Sequence, residues 1–385
     1  MPLAAQLSSA AMTRESSLRI ERCDSPRRFL AVLAAFYRDD PHWVPPLYLT
    51  DRKKVDRRRH PFFAHGEGEL WLAHRDGAVV GRISAARDRE YDRFHGEAQG
   101  TFGHFEAVDE ASAHALLDTA RTWLREHGAT VMRGPIDFST NYRCGLLIGG
   151  DEGPPVVMMP HNPRVYADWI ESFGLAKSKD LVALLVTADQ LEMSRYERLV
   201  ARVLQRTPLR ARRLDLRRFG SEIEIIWRLY HRIWERNWGF APMSREEFDA
   251  EARDLKAVLV PDLTVVLERE EDGEPVAFAI GIPDVNLAIA ACRGRLLPFG
   301  WWRFLRTLRG IRSFRTITLG VVPELRGTGV DAVLLERLIA QGLAAGYPRC
   351  EASWILEDNV AMLRPLITAG GREYRRYRVY ETGLA

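Results

Sequence analysis

The residues with the clearest chemical potential form a short glycine-containing loop. Arg326, Gly327, Thr328 and Gly329 follow an apolar, β-branched run at 316–322, and helical apolar spacing begins directly after them. This order predicts a buried strand, a tight turn and a helix N-terminus. The free amides of a first helical turn point at one spot, and the helix dipole favours negative charge there. The loop therefore predicts an anion-binding site.

The elements that must position this loop occur twice along the chain. Each half reads as a hairpin, a strand, a helix, a strand, an asparagine-initiated helix that stops at glycine, and a final strand. Asn162 in the first half corresponds to Asn359 in the second. The pattern predicts an α/β fold of two tandem units, each a mixed, mostly antiparallel central sheet flanked by helices.

The predicted domain order is a disordered leader (1–17), a first unit (18–190), a basic linker (191–218) and a second unit (219–385). In the first unit Asp109 and Glu110 run directly into the helix without a glycine turn. Two acidic residues at that point repel anions. The first unit is therefore predicted to lack the anion site and to serve as a scaffold or as a wall for an acceptor.

The composition is that of a water-soluble globular chain. The 385 residues carry 55 Lys and Arg against 52 Asp and Glu, a net charge of +3, which gives no reason to expect a nucleic-acid partner. The cysteines are scattered without a Cys-x-x-Cys spacing, so no metal site and a reducing compartment are predicted. The apolar window 275–292 is interrupted by Asp284 and Asn286, and we interpret it as strand rather than membrane span. These features predict a cytoplasmic protein.

The glycine loop resembles the acyl-CoA pyrophosphate loop of the GNAT superfamily of N-acyltransferases, Gln/Arg-x-x-Gly-x-Gly/Ala. Arg326 and Gly329 match that motif, whereas Asp331 stands where its last Gly or Ala belongs. Three further runs are similar to signature runs of bacterial ceramide synthase-like proteins, a branch of this superfamily: GPIDFSTN (134–141), MMPHNP (158–163) and NWGF (237–240).

The resemblance implies transfer of a long-chain acyl group from an acyl thioester to the amine of a lipidic acceptor. The acceptor expected for the branch is a sphingoid base or its 3-keto precursor, and the donor acyl-CoA, with acyl-carrier protein as the alternative. The resemblance also implies an oxyanion donor at the amide of Val321 or Val322. Leu366 replaces the tyrosine that many GNAT enzymes use as acid, which leaves water, Tyr374 or Tyr377. The implied donor-binding residues are Val321, Val322, Arg326, Gly327, Thr328, Gly329, Val330 and Asn359.

An amine nucleophile also needs a proton acceptor, and the candidates are Glu351, Asp284 with Asn286, and His231. Glu351 alternates with Ser353 along one strand face, although a surface glutamate is the competing interpretation. Asp284 and Asn286 interrupt an apolar run, and His231 lies in an aromatic helix where a packing role competes with a catalytic one. The predicted acceptor-binding residues are Asp137, Asn141, Tyr142, Asn237 and Trp238.

The segment 293–315 favours a lipid partner. It has Trp, Phe and Leu on one helical stripe and arginines off it, as in helices that lie on anionic membranes, and a core-packed helix is the alternative. The protein is thus predicted to touch the inner membrane face peripherally. Two other interpretations stay open: an aminoacyl-tRNA-dependent transferase that holds RNA through the arginine-rich stretch 195–218, and a non-catalytic lipid or acyl-CoA sensor.

Overall fold

The computed structural model describes residues 17–191 and 193–384, and residues 1–16 of the predicted leader lie outside the described residues. The strands are β1 Arg19–Arg22, β2 Gly66–Arg75, β3 Ala78–Asp88, β4 Gln99–Ala107, β5 Val131–Gly134, β6 Leu146–Gly150, β7 Ala176–Thr187, β8 Leu209–Arg212, β9 Thr264–Arg269, β10 Pro275–Pro283, β11 Ser313–Val321, β12 Arg349–Leu356 and β13 Arg372–Gly383. The helices are α1 Pro26–Ala31, α2 Leu33–Phe36, α3 Tyr48–Lys54, α4 Arg89–His95, α5 Glu110–Glu126, α6 Tyr166–Ser172, α7 Met193–Arg206, α8 Phe219–Trp234, α9 Arg245–Lys256, α10 Asn286–Ala291, α11 Gly300–Leu308, α12 Val330–Ala344 and α13 Val360–Thr368.

All the described strands belong to a single mixed sheet in the order β1-β2-β3-β4-β5-β13-β7-β12-β11-β10-β9-β8, with β6 also paired to β13. Among the described strands, only β4–β5 and β11–β12 pair in parallel. Each parallel pair is connected by a long helix, α5 in the first half and α12 in the second, as parallel strands require. The predicted tandem α/β fold with mostly antiparallel sheets is confirmed.

The two halves exchange their last strands. β7 ends the first half in sequence but lies between β12 and β13, and β13 ends the chain but pairs with β5 of the first half. The middle of β7, from Leu181 to Val186, is buried on both faces. Its continuous apolar composition is what a central strand of a covered sheet needs. The sheet is therefore continuous because each half contributes a strand to the other.

The parallel pair β11–β12 separates along its length. The strands are in register only from 313 to 316 on β11 and from 349 to 352 on β12. Beyond these residues β11 still pairs with β10, while β12 pairs with β7 after a register shift between Ala352 and Ile355. A cleft opens between the two strands in the middle of the sheet.

The arginine-rich segment predicted as a linker folds with the second half. Its first part is α7, which packs against α12 through the buried Val200 and Val203, and its second part is the edge strand β8. Arg210 and Arg212 of β8 pair with Glu268 of β9, at 2.7 and 2.5 Å. The valines among the arginines provide the apolar face that holds α7 in place.

Two local predictions were wrong. The window 275–292 contains both β10 and α10, because Pro283 ends the strand before Asp284. Asn162 does not cap a helix as Asn359 does: its side chain bonds both main-chain groups of Leu147, at 2.8 and 3.2 Å.

No helix among the described residues is long and apolar enough to cross a membrane.

Candidate active site

A cavity of about 1150 Å³ lies in the second half, where β11 and β12 separate. Its walls come from α8, α9, α12, α13 and the exposed edges of the two strands, and most of the lining side chains are apolar. Typical small-molecule pockets measure about 300–1,000 Å³. The cavity is thus large enough for a ligand with a long apolar part.

The glycine loop forms one end of this cavity. Gly327 and Gly329 both have a left-handed backbone, with φ of 73° and 92°, and Gly329 immediately precedes α12. A Cβ on Gly329 would lie 2.7 Å from the side chain of Val203, so only glycine fits there. In the described part of the chain, no main-chain carbonyl accepts from the amides of Gly327, Gly329 or Val330. These amides are available to an anion.

The side chains of the loop mostly hold the turn in place. Arg326 donates to the carbonyl of Ile233 near the end of α8, which anchors the loop to that helix. Thr328 Oγ1 donates to the carbonyl of Leu325 at 2.6 Å, and Val330 is fully buried. Of the predicted donor residues, Val321, Arg326, Gly327, Gly329 and Asn359 line the cavity, whereas Val322, Thr328 and Val330 do not.

Asp331 faces the cavity from the first turn of α12. Burial raises the pKa of its carboxyl, and the neighbouring amides of Asp331 and Ala332 partly oppose that shift. The carboxylate therefore lies beside the amides of the helix N-terminus, where the glycine loop offers its own free amides to an anion.

Of the two amides predicted to stabilise an oxyanion, only that of Val321 faces the cleft. The Val322 amide donates to the carbonyl of Val276 at 3.0 Å, so it is already engaged with β10. Main-chain groups of an antiparallel strand point towards the partner at every second residue. The amides of Val321 and Leu319 thus point to the side from which β12 has separated, and the prediction for Val322 was wrong.

A buried polar group lies where the two strands begin to separate. Ser353 Oγ donates to Glu351 Oε1 at 2.5 Å and accepts from Arg315 Nε at 2.8 Å. Arg315 also donates to the main-chain carbonyls of Ser353 and Val157, at 3.0 and 3.1 Å. Burial raises the pKa of Glu351, and Arg315 partly opposes the shift. Glu351 Oε2 is buried without a hydrogen-bond partner among the described residues.

Glu351 does not itself line the cavity, but Ser353 and Arg315 do. The glutamate is therefore connected to the cavity through the Ser353 hydroxyl. The sequence pattern found Glu351 and its strand face, but it missed Arg315. Its sequence signal was an arginine at the start of an otherwise apolar and β-branched strand. A guanidinium buried there needs hydrogen-bond acceptors, so polar partners should lie nearby.

Asp284 lies close to this group. Burial raises the pKa of its carboxyl to about 6. The Val157 amide, which donates to Asp284 Oδ1 at 3.0 Å, opposes this shift, whereas the negative charge of Glu351 adds to it. Asn286 instead donates to the carbonyl of Pro155 at 2.8 Å and fixes the loop of the first half on α10. The structure thus brings Glu351 and Asp284 together and leaves Asn286 in a structural role.

His231 is separated from this group. Its Nδ1 contacts the carbonyl of Trp227 at 3.1 Å, and its ring packs on the Trp227 ring at a centroid distance of 4.0 Å. It does not line the cavity. Tyr374 and Tyr377 are also buried outside the cavity lining, whereas Leu366 does line it. The packing interpretation of His231 fits these contacts.

Four of the five predicted acceptor residues line the cavity: Asn141, Tyr142, Asn237 and Trp238. Asn141 accepts from the Tyr230 hydroxyl at 2.7 Å and donates to the carbonyl of Ala241 at 3.0 Å, so it connects the first half to α8 and the loop after it. Trp238 lies beside Arg133 and Lys179, at 5.7 and 6.0 Å from its ring. These residues bring the first half to the cavity wall.

Asp137 lies elsewhere. Its Oδ1 accepts from the His104 amide at 2.6 Å, and the His104 ring contacts Ser84 Oγ at 2.9 Å. Burial lowers the pKa of His104 to about 3, so its ring is neutral. Asp137 and Ser84 are buried, His104 is half-buried, and none of the three lines the cavity. This arrangement stabilises the core of the first half.

A second contact between the halves was not predicted from the sequence. His65 bonds Asp88 at 3.0 Å through Nδ1 and Glu247 of α9 at 2.7 Å through Nε2. Tyr142, which lines the cavity, also donates to Glu247 at 2.5 Å. Burial alone would lower the pKa of His65, but its two carboxylate partners outweigh burial and raise it to about 10. Only the tertiary structure brings these distant residues together.

Among the described residues, no cluster of three or more His, Cys, Asp or Glu side chains is arranged to hold a metal ion.

Comparison with known proteins gives two relatives that extend over nearly the whole chain. The chain is 36% identical over 368 residues to the bacterial ceramide synthase of Caulobacter vibrioides, which covers 93% of this chain and 94% of that protein. It is 35% identical over 364 residues to protein YghO of Escherichia coli, with 92% of each chain covered. No protein-family model matches the chain.

Solved structures show the same fold at low sequence identity. A tandem GNAT protein from the clavulanic acid biosynthesis pathway superimposes with a TM-score of 0.57 at 12% identity, over 96% of this chain and 99% of that chain. A GCN5-related glucosamine N-acetyltransferase region of a fungal multi-domain β-N-acetylglucosaminidase gives a TM-score of 0.60 at 14% identity. That match covers 95% of this chain and 38% of the fungal one.

Proposed function

Because the chain belongs to the bacterial ceramide synthase-like branch of the GNAT superfamily of N-acyltransferases, we propose a specific reaction for it. It transfers a long-chain acyl group from acyl-CoA to the amine of a lipidic acceptor, a sphingoid base or its 3-keto precursor. The observation that carries the proposal is the cavity, which joins a glycine loop with free amides to about 1150 Å³ of mostly apolar space.

The second half is the donor-binding unit in this proposal. The pyrophosphate lies at the amides of Gly327, Gly329 and Val330, and the pantetheine arm follows the free edge of β11 into the cleft. The described part of the first half has no equivalent site, because Asp109 caps α5 with its own carboxylate and pairs with Arg75. Its role is to support the sheet and to provide part of the acceptor wall through Asn141 and Tyr142.

The reaction is direct attack of a neutral amine on the thioester carbonyl. A C–N bond forms, the C–S bond breaks, and CoA leaves as a thiolate that takes a proton from water. The amide of Val321 points into the cleft and stabilises the oxyanion. Ser353 accepts the ammonium proton and passes its own to Glu351, whose second oxygen has no hydrogen-bond partner among the described residues.

Amide formation from purified components tests this function. Incubation of the protein with palmitoyl-CoA and detergent-dispersed sphinganine is expected to give the N-acyl product by mass spectrometry, and acetyl-CoA is expected to be a poor donor. Product formation from acetyl-CoA alone, or CoA binding without turnover of either donor, contradicts the proposal. Turnover that requires an aminoacyl-tRNA would assign the chain to the other transferase class.

The proton-transfer pair makes a sharper prediction within the same assay. Glu351→Gln is expected to lower kcat by about 10²–10⁴-fold, the usual contribution of a general base, with little change in KM for the acyl-CoA. Because burial raises the pKa of Glu351, the wild-type rate should rise with pH, and the apparent pKa of this rise should lie above that of an ordinary glutamate. Ser353→Ala should also lower kcat. Glu373→Gln, which removes an exposed partner of Arg376, is the matched control.

A further inference from the structure

The connection between α10 and α11 and the outer side of α11 expose several large apolar side chains. Leu297 and Phe299 are 74% and 79% exposed, and Trp302 is 59% exposed. Trp301 and Leu305 of α11 and Leu287 of α10 are also exposed. We call this surface the α10–α11 patch. Soluble proteins seldom expose so many large apolar groups together without a partner.

The patch is held firmly from behind. Leu308 on the other side of α11 and Ile289 of α10 pack in one cluster with Leu255, Leu259 and Ile317. A Cβ on Gly300 would lie 1.7 Å from the carbonyl of Arg295, so the connection folds back tightly on the start of α11. The apolar stripe seen in the sequence is therefore divided: one side packs on the protein, and the other faces solvent.

The charged residues of the segment that carries the patch have a single sign. No acidic residue occurs between Asp284 and Glu324. The exposed arginines of this stretch are Arg293, Arg295, Arg303, Arg306, Arg309 and Arg312. None of them forms a salt bridge within the described part of the chain, whereas Arg210, Arg212 and many other arginines pair with carboxylates. Unneutralised cations around an apolar surface call for an anionic partner with an apolar interior.

The basic helix α3 adjoins this surface. The amide of Tyr48 at its start donates to the carbonyl of Gly294 at 3.2 Å. Leu49 is exposed beside the exposed Arg52 and Lys53, which form no salt bridge in the described structure. The same combination of apolar and basic side chains thus continues from the patch into α3.

We propose that the α10–α11 patch docks the protein on an anionic lipid bilayer. Leu297, Phe299 and Trp302 insert at the boundary of headgroups and acyl chains, and the surrounding arginines bind lipid phosphates. A protein interface is a poorer fit, because the cores of such interfaces are depleted of charge and would need matching carboxylates. Docking also places the lipid next to the cavity, since Leu255, Leu259 and Ile317 of the supporting cluster line it. That last link, delivery of the acceptor from the bilayer, rests on the proposed function.

Vesicle co-sedimentation of the full chain tests the docking without any turnover. The protein is expected to bind phosphatidylcholine–phosphatidylglycerol vesicles and to bind phosphatidylcholine vesicles much more weakly, with binding that falls as salt rises. Leu297→Ser with Phe299→Ser is expected to weaken binding by at least about tenfold per residue. Arg303→Gln with Arg306→Gln should weaken it by about fivefold per residue and reduce its salt dependence.

The matched control is Val108→Ser with Arg125→Gln, which removes an exposed apolar and an exposed basic residue of the first half. Its vesicle binding should equal that of the wild type. Equal binding by the Leu297/Phe299 variant, or no binding of the wild type to anionic vesicles, overturns the proposal. Light scattering gives a further test. If the wild type is a dimer and the Leu297/Phe299 variant is a monomer, the proposal is overturned, because the patch would then be a contact between two copies of the chain. Acyl transfer in detergent tests the proposed function separately.

Discussion

At the scale of single residues, the main feature of the site is a carboxylate kept largely away from water. Glu351 Oε1 accepts from Ser353, while Oε2 has no partner among the described residues. A buried charge without a full set of hydrogen bonds is costly, so such a group is a candidate for chemistry rather than for stability. Arg315 limits that cost and orients the Ser353 hydroxyl through its Nε.

Asp331 makes a prediction at the same scale. Its carboxylate lies beside the first-turn amides of α12, at the end of the cavity where the donor phosphates are proposed to bind. Asp331→Asn removes this negative charge with little change in shape, so CoA is expected to bind several-fold more tightly. Because burial raises the pKa of Asp331, lowering the pH protonates it, and wild-type affinity should approach that of the variant. Isothermal titration calorimetry at several pH values measures both effects.

Glu271→Gln is the control for that experiment, because it removes an equal charge in the exposed turn between β9 and β10. Unchanged CoA affinity in Asp331→Asn would mean that the aspartate does not face the phosphates.

The limits of sequence reasoning at this scale follow from distance along the chain. Gly327 and Gly329 were found because a loop motif is local, and Glu351 because strand alternation is local. Asp137 was misplaced, since its neighbours His104 and Ser84 are brought to it by the sheet alone. The oxyanion role predicted for the Val322 amide was wrong, because the direction in which an amide points depends on how the strands pair.

At the scale of elements, the halves are connected by more than the sheet. α9 of the second half contacts the first half through His65, which bonds Asp88 and Glu247 together. The protonated imidazole between two buried carboxylates stabilises the contact, and removal of the proton leaves two negative charges facing each other.

The pH dependence of stability follows from this contact. The pKa of His65 is about 10 in the folded chain against an ordinary value of 6.5. Its stabilisation is therefore complete below about pH 6.5 and is lost as the pH rises towards 10. Its size at neutral pH is on the order of 2–4 kcal/mol. The thermal midpoint of the wild type should fall between pH 7 and 10, and His65→Gln should start lower and fall less.

Scanning calorimetry of both proteins across this range checks the prediction, with His127→Gln, directly after α5, as a histidine control outside this network. A decline of equal steepness in His65→Gln and the wild type would assign the pH effect to other groups.

Helices with a regular local sequence pattern were predicted well. Helices that pack on the protein with one apolar side and have a different environment on the other side were not. α5 and α12 begin within a few residues of their predicted starts, because the residues before each helix and the apolar spacing after them agree there. α11 packs on one apolar side and exposes another, so neither the interfacial nor the core-packed interpretation describes it alone. The segment 191–218 was interpreted as a linker because its many charges conceal the short apolar face of α7.

At the scale of the whole molecule, the exchanged strands make the two halves interdependent. β7 supplies the strand next to β12, and β13 supplies the strand next to β5. Sequence order suggested two self-contained units, since nothing local in a strand says which half it will pair with. The tandem repeat was visible in the chain, but the exchange was not.

Expression of the halves as separate fragments tests this interdependence. A fragment ending at residue 207 and a fragment starting at 208 should each be insoluble alone, because each leaves buried strand edges unpaired. Co-expressed, they should co-purify as a complex that binds CoA. Solubility assays, co-purification on a tag carried by one fragment, and calorimetry measure these outcomes. A monomeric, folded C-terminal fragment that binds CoA alone would contradict the prediction.

The position of β7 has a consequence for how such a protein changes over generations. After duplication of an ancestral unit, a copy without a donor loop would ordinarily be free to decay. Here the copy without the loop still contributes the strand that flanks the cleft of the other copy. Selection for the activity of the second half therefore also preserves the fold of the first half. Substitutions in the buried core of the first half are then expected to appear genetically as loss of the activity housed in the second.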